Sequence, residues 1–260
     1  MDKAYAIITG ASSGIGLEFA NQLAEKGYNL LIIARRRAEL DKLSKELIER
    51  NKIKCIPFSC DLSKDQEIDR AIRKISTIKN IEYLINCAGF GNQDNFQGMD
   101  EKQMKDMITV HIFATTRLTK SILPIMIKRN KGKIINVSSI ASFITTSKSN
   151  AIYNSTKAYI RAFTETLIDE TKTNKESMIH IQALCPGFTK TNFFKHYNAS
   201  FVPRVFWMET DRVVRRSLRK VEKRSSVYIP GFKNKFLVWL LKSWIIGRMF
   251  NFAARKSNIE

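Results

Sequence analysis

Short apolar runs alternate with longer helical stretches along most of this chain. The stretches with helical spacing or surface-helix character cover residues 17–26, 37–50, 64–78, 101–129 and 150–173. The apolar runs cover residues 4–9, 29–35, 54–61, 81–89, 133–139, 178–186 and 226–230. Parallel strands that helices cover on both faces are apolar throughout. The pattern therefore predicts an α/β fold: a single doubly wound parallel sheet of about seven strands, with helices on both faces.

A glycine-rich turn joins the first strand to the first helix. Its sequence is Thr9-Gly-Ala-Ser-Ser-Gly-Ile-Gly16. Glycines permit a tight turn and let the backbone approach a pyrophosphate, whose charge the helix N-terminus then faces. The turn predicts a Rossmann-type dinucleotide site whose contacts are Gly10, Ser12, Ser13, Gly14, Ile15 and Gly16.

Two arginines follow the second strand, where a site for NAD places an acidic residue that holds the ribose 2′-hydroxyl. Arg35 and Arg36 occupy this position instead. Their guanidinium groups suit a 2′-phosphate, although the same residues would also begin a surface helix. We predict a preference for NADP(H) over NAD(H).

Tyr153 and Lys157 are four residues apart in a predicted helix, so their side chains share one face. A neighbouring ammonium group favours the phenolate, which would lower the pKa of Tyr153. Such a tyrosine can exchange a proton with a substrate oxygen near neutral pH. Downstream of a dinucleotide turn, the pair predicts a nicotinamide-dependent carbonyl reductase or alcohol dehydrogenase.

A further motif, Asn86-Cys87-Ala88-Gly89, follows the fourth strand. Together with the glycine turn and the Tyr153–Lys157 pair, it makes residues 4 to about 231 resemble the short-chain dehydrogenase/reductase family. The resemblance is to the branch of hydroxysteroid dehydrogenase-like and 3-ketoacyl reductase-like enzymes. Cys87 departs from the family's second asparagine. The resemblance implies further cofactor contacts beside Tyr153 and Lys157. They are Asp61, Leu62, Asn86, Ala88, Gly89, Pro186, Gly187, Thr189 and Thr191.

The resemblance also implies a catalytic set. Ser139, favoured over Ser138 by its Ser-Ile-Ala context, would orient the substrate carbonyl. Tyr153 would be the acid in reduction and the base in oxidation, and Lys157 would lower its pKa and hold the nicotinamide ribose. His111 occupies the place of an asparagine that is thought to hold a proton-relay water. Two alternatives stay open: His111 keeps a relay, or it is a packed histidine.

The substrate side and the C-terminus are rich in apolar residues. Residues 188–210 are expected to cover the substrate, and their aromatic rings either form an apolar pocket or pack the loop itself. Those rings are Phe188, Phe193, Phe194, Tyr197, Phe201, Phe206 and Trp207. We expect residues 1–231 to form the NADP(H)-binding catalytic domain and 232–260 an apolar, basic extension. Segment 236–250 is too short to span a bilayer comfortably. It either packs on this domain or on a partner subunit, or it lies in the lipid interface. Packing is the alternative that we prefer.

The formal net charge is +20, and residues 201–260 hold 14 Lys or Arg against 4 Asp or Glu. Such a surface attracts polyanions, or it is simply a solvated basic face. No nucleic-acid motif accompanies the charge, so we predict no nucleic-acid partner. Four cysteines without metal-ligand spacing indicate reduced thiols, no metal and a cytoplasmic location.

The predicted protein is a homodimer or homotetramer, paired through helices near 104–128 and 153–172 as in many relatives. It would act on a small carbonyl or alcohol substrate. The alternative from another class is a cofactor sensor or membrane-surface binding protein with little turnover.

Overall fold

Seven strands form one sheet in the computed structural model, which describes residues 3–92, 94–144, 149–172, 177–191, 193 and 202–242. The strands are β1 Tyr5–Thr9, β2 Asn29–Ala34, β3 Cys55–Ser59, β4 Ile81–Asn86, β5 Gly132–Val137, β6 Ile179–Leu184 and β7 Ser226–Tyr228. Every pairing is parallel and the order is β3-β2-β1-β4-β5-β6-β7. The predicted fold class is confirmed.

Eight α-helices connect or follow these strands in the described part of the chain. They are α1 Gly14–Glu25, α2 Arg37–Asn51, α3 Asp65–Ser76, α4 Glu101–Ile108, α5 Thr115–Arg129, α6 Ala151–Thr171, α7 Thr210–Val221 and α8 Phe232–Lys242. Helices α1, α2 and α7 cover one face of the sheet, while α3, α5 and α6 cover the other.

Strand residues alternate between two apolar clusters, one on each face of the sheet. Ala6 and Ile8 of β1 pack with α1, whereas Ile7 packs on the opposite side with α3 and α5. All three side chains are fully buried. This two-sided burial explains why the strands are continuous apolar runs.

The predicted helix 101–129 is interrupted. Residues Thr109–Ala114 form a π-helical segment between α4 and α5. Such a segment inserts an extra residue into the helix and is often found at functional sites. Here it carries His111, whose side chain is fully buried.

The strands end earlier than the apolar runs predict. The runs extend to residues 61, 89, 139 and 186, whereas β3, β4, β5 and β6 end at Ser59, Asn86, Val137 and Leu184. In each case the chain leaves the sheet and lines a cavity at the carboxyl edge. Ligands of open α/β sheets bind at this edge, where the strand order reverses.

A buried polar network holds the centre of this edge together. The Asn86 side-chain amide donates to Asn136 Oδ1 at 2.8 Å and to Thr119 Oγ1 at 3.0 Å. Asn136 in turn donates to Thr164 Oγ1 at 3.0 Å. The network links β4 and β5 to α5 and α6, so it fixes the floor of the cavity.

Candidate active site

A cavity of about 800 Å³ runs along the carboxyl edge of the sheet. At one end lie the glycine turn and the residues after β2 and β3. At the other end lie Ser139, Tyr153 and Lys157, beside the 186–191 segment. The structure brings together nearly all the site residues predicted from the sequence; Asn86 and His111 are buried outside the lining.

The glycine turn is packed too closely to accept side chains. A Cβ on Gly10, whose φ is +69°, would lie 2.9 Å from the Ala88 backbone, and one on Gly16 would lie 2.3 Å from the Gly10 carbonyl oxygen. Thr9 joins the same two loops, because its hydroxyl accepts from the amides of Cys87 and Ala88. The turn therefore has the form of a pyrophosphate cradle at a helix N-terminus.

Arg36 reaches back over the glycine turn. Its guanidinium donates to Ser12 Oγ at 3.0 Å and to the Ser12 carbonyl at 3.2 Å, and it lies 3.3 Å from Glu39. Arg35 lines the same end of the cavity. A cation is thus held where the sequence predicts a 2′-phosphate.

Asp61 and Leu62 line this end as well. Asp61 Oδ1 accepts from the Ser63 amide at 3.2 Å and from its hydroxyl at 3.0 Å. These bonds orient the carboxylate in the turn before α3.

Lys157 is buried at the other end. Its Nζ donates to the Val137 carbonyl at 3.0 Å and lies 5.7 Å from the centre of the Tyr153 ring. Burial lowers the pKa of Lys157 to about 8, partly offset by the nearby Cys87 and Cys185 thiols.

Tyr153 does not have the lowered pKa that the sequence predicted. Burial raises its pKa to about 12, and a hydrogen bond with the Ser139 side chain lowers it only partly. Burial is the largest influence on the phenol, and the Lys157 ammonium group donates to the Val137 carbonyl. In this state Tyr153 holds its proton.

The two serines after β5 have different partners. Ser138 is buried and donates to the Lys157 carbonyl at 2.7 Å, which fixes the β5 end to α6. Ser139 begins a 3₁₀ turn, Ile140–Phe143, where its Oγ accepts from the Ala141 amide at 3.1 Å. Of the two, Ser139 is the serine whose side chain lowers the pKa of Tyr153, so it is the one suited to a shared substrate oxygen.

The 186–191 segment closes the cavity between its two ends. Thr189 Oγ1 donates to the Gly187 carbonyl at 2.9 Å, and Thr191 stands over Gly14. A Cβ on Gly14 would lie 3.2 Å from the Thr191 methyl carbon. The segment therefore reaches from the Tyr153 end to the glycine turn.

Aromatic rings border the Tyr153 end. Phe193 lies 5.8 Å from Tyr153, and Phe188 lies 5.7 Å from Trp207, centre to centre. Phe193 lines the cavity and Phe206 belongs to the 3₁₀ turn Arg204–Phe206. Phe194, Tyr197 and Phe201 fall outside the described residues.

Sequence reasoning missed one wall of the cavity. It is formed by α4, the residue before it and the π segment, and its residues are Asp100, Lys102, Gln103, Asp106 and Val110. No motif marks them, because they reach the cavity through the packing of α4 on α6 and the bond from Asn92, in the loop after β4, to Gln103.

The family described as short chain dehydrogenase matches residues 4–200 of this chain. A very-long-chain 3-oxoacyl-CoA reductase from Neurospora crassa is 30% identical over 254 residues, covering 93% of this chain and 73% of that protein. Hydroxysteroid dehydrogenase-like protein 1 from Gallus gallus is 32% identical over 184 residues, covering 70% of this chain and 54% of that protein. This chain thus spans only part of these relatives.

Solved structures share the fold over nearly the whole chain. A short-chain dehydrogenase from Sphingobium yanoikuyae in complex with NADPH has a TM-score of 0.81 at 26% identity, covering 99% of this chain and 96% of that one. A bulky-bulky ketone specific alcohol dehydrogenase from Comamonas testosteroni has a TM-score of 0.78 at 26% identity, covering 100% and 96%. The chain belongs to the short-chain dehydrogenase family of oxidoreductases.

Proposed function

We propose that this protein is an NADP(H)-dependent reductase that interconverts an apolar ketone or aldehyde and its alcohol. The observation that carries the proposal is one continuous cavity. It joins the glycine turn, with Arg36 over it, to Ser139, Tyr153 and Lys157. A cofactor with a phosphate at one end and a hydride donor at the other needs such a cavity.

The residues present fit the cofactor. Gly10, Gly14 and Gly16 leave no room for side chains where the pyrophosphate would approach. Arg35 and Arg36 would hold a 2′-phosphate, and an Arg36 guanidinium already directed at Ser12 favours NADP(H) over NAD(H). Asp61 and Leu62 would contact the adenine, and Ala88 and Gly89 its ribose. When bound, the nicotinamide supplies or accepts the hydride.

The remaining chemistry belongs to the chain's own side chains. Ser139 would donate a hydrogen bond to the substrate oxygen, while Tyr153 gives that oxygen its proton in reduction and removes it in oxidation. The raised pKa keeps Tyr153 in the acid form that reduction requires. Lys157 would hold the nicotinamide ribose and supply a cation beside the phenol.

We propose a long-chain 3-oxoacyl thioester as the first substrate class to test, and a bulky ketone such as a steroid as the second. The names of the curated relatives support both classes. Phe193 beside Tyr153 provides an apolar wall at the reacting end.

The helix pair α5 and α6 is proposed as the contact between two subunits of a homodimer or homotetramer. An apolar groove of about 470 Å³ lies between these helices, lined by Leu123, Pro124, Ile127 and Phe163 among others. Cross-linking through a cysteine placed at Ile127, which is half exposed, would test the pairing.

Helix α8 begins the extension that follows residue 231. Val238 packs on the Ile140–Phe143 turn, while Phe236 and Trp239 stack at 5.7 Å on the exposed face beside Lys233 and Lys235. We propose that this face of α8 rests on a membrane from the cytoplasmic side. Among the described residues, no helix has the length and apolarity needed to cross a bilayer. Loss of vesicle binding in Trp239→Ala would support the contact.

The test of the reductase proposal is NADPH oxidation over a panel of 3-oxoacyl thioesters, ketones and aldehydes. Turnover that prefers NADPH to NADH and disappears in Tyr153→Phe is expected. NADPH binding without turnover on any panel member would refute it and favour a cofactor sensor.

A further inference from the structure

His111 lies behind the site rather than in it. It belongs to the π segment, is fully buried, and its ring packs against Gly89. A Cβ on Gly89 would lie 2.8 Å from His111 Nε2 and 3.5 Å from Lys157 Nζ. The ring also meets Tyr153 edge-on, with centroids 5.9 Å apart. His111 therefore contacts both the loop after β4 and the reacting end of the cavity.

Hydrogen bonds define the tautomer of this ring. The Phe90 amide donates to His111 Nε2 at 3.1 Å. Because a backbone amide can only donate, Nε2 carries the lone pair. On the other side, Nδ1 lies 2.8 Å from Thr156 Oγ1. The Thr156 hydroxyl donates its one proton to the Tyr153 carbonyl at 2.8 Å, so its oxygen accepts from His111 Nδ1–H.

This arrangement leaves no nitrogen for proton transfer. A proton could bind Nε2 only if the Phe90 amide lost its acceptor, and Nδ1 already carries one. Burial and the charge of Lys157 also lower the pKa of His111 well below its usual value, despite the Phe90 bond. Of the two alternatives left open by the sequence, the geometry favours a packed, neutral histidine.

The two bonds connect the first turn of α6 to the loop after β4. Helix α6 starts after Asn150, which has a φ of +66° and no side-chain cap bond. Tyr153 is therefore in the first turn of α6. The Thr156 hydroxyl binds the Tyr153 carbonyl, and His111 joins that hydroxyl to the loop at Phe90.

We propose that His111 and Thr156 form a positioning pair that fixes the Tyr153 backbone relative to the Phe90 loop and carries no proton. The proposal rests on the proposed function, since Tyr153 must be the proton donor for its position to affect turnover. It assigns Thr156 a role that no motif indicated.

Four variants test the bonds of His111 and of Thr156 separately. His111→Asn keeps a donor near the Nδ1 position, and His111→Gln places an acceptor near Nε2. Thr156→Ser keeps the hydroxyl, whereas Thr156→Val removes it at nearly constant volume. We expect roughly 10- to 100-fold lower kcat in Thr156→Val and near wild-type kcat in Thr156→Ser, because small misplacements of a catalytic group are costly. The NADPH Kd should stay within about threefold, since the pair lies outside the cradle.

Non-additivity is the second expected result. His111→Gln combined with Thr156→Val should lower kcat about as much as Thr156→Val alone, because both remove the same bond. The shape of the kcat–pH profile should be unchanged in every variant. An inflection that is present in the wild type and absent in His111→Asn and His111→Gln would make His111 a relay and overturn the proposal. Unchanged kcat in Thr156→Val would overturn it as well.

The tautomer has its own spectroscopic signature. In ¹⁵N-histidine-labelled protein, the signal that disappears in His111→Gln should be that of a neutral Nδ1–H ring at pH 6. A neutral Nε2–H ring, or protonation with a midpoint near 6.5, would overturn the pairing. This spectrum does not depend on turnover. If the wild-type protein shows no activity, the proposed function fails and positioning for catalysis fails with it, while the spectrum still decides whether the pair exists.

Discussion

Gly187 is predicted to tolerate no side chain, because helix α8 packs directly against it. A Cβ on Gly187 would lie 2.5 Å from Nδ2 and 2.6 Å from both Cγ and Oδ1 of Asn234. Asn234 is 2% exposed and its Nδ2 donates to the Pro230 carbonyl at 3.0 Å. The amide therefore cannot turn away without losing that bond. Gly187→Ala is the perturbation that tests this contact.

The magnitude follows from the overlap. Overpacking of a buried site costs about 1–3 kcal/mol, and loss of the bond to Pro230 adds roughly 1 kcal/mol. We expect Gly187→Ala to lower the free energy of unfolding by about 2–4 kcal/mol. Asn234→Ala alone should cost about 1 kcal/mol, since it removes the bond to Pro230, a weak one to Met208 Sδ, and an Oδ1 that has no partner among the described residues. The double variant should be about as stable as Asn234→Ala, because the new methyl group then has space.

Urea denaturation of the wild type, both single variants and the double variant measures this coupling. Gly27→Ala is the control: Gly27 has a φ of +85°, and none of the described residues lies within 4 Å of the position a methyl group would take, so its cost comes from the backbone. Asn234→Ala should not rescue that control. The NADPH Kd should rise in Gly187→Ala and recover in the double variant, because Gly187 lines the cavity. Additive effects of Gly187→Ala and Asn234→Ala would refute the reasoning.

Three further predictions concern charge. The lowered pKa of His111, which faces Lys157 and Tyr153, means that the unfolded chain binds a proton below pH 6.5 while the folded chain does not. The free energy of unfolding therefore keeps the full contribution of His111 above this pH and falls by about 1.4 kcal/mol at pH 5.5. Urea denaturation should show that this fall is absent in His111→Gln. An equal fall in the wild type and in the variant would contradict the prediction. Arg36→Ser should weaken NADPH binding roughly tenfold and leave NADH binding nearly unchanged in fluorescence titrations, whereas equal weakening would refute the 2′-phosphate assignment. Because the pKa of Lys157 is about 8, its charge is present below and lost above that pH. The kcat/KM for reduction should decrease as pH rises through 8, and a flat profile to about pH 9.5 would contradict a role for the ammonium group.

The fold was predictable because both sheet faces are buried. Burial on both faces, complete in β2 and β4, made the strands visible as apolar runs, and the glycine turn identified the edge that binds a ligand. The strand ends were predicted two or three residues too late. Residues such as Gly89 and Pro186 continue the small or apolar pattern after the last strand pair, although they line the cavity.

The site was predictable where its residues are neighbours in sequence. Tyr153 and Lys157 share one helix, and Gly10 to Gly16 form one turn. The partners of His111 lie 21 and 45 residues away, at Phe90 and Thr156, so only packing brings them together. The pKa of Tyr153 depends on burial as well as on its neighbour, and spacing alone does not reveal burial.

Transfer of deuterium is the most direct test of the central claim, that this cavity carries hydride transfer with Tyr153 as the proton donor. The protein is mixed with NADPH deuterated at C4 on either face and with the best substrate of the panel, and the product is analysed by mass spectrometry. We predict one deuterium on the new carbinol carbon from one of the two labelled faces, and no labelled alcohol with Tyr153→Phe although NADPH still binds. Unlabelled alcohol from both labelled cofactors, or full label transfer in the Phe variant, would contradict the account.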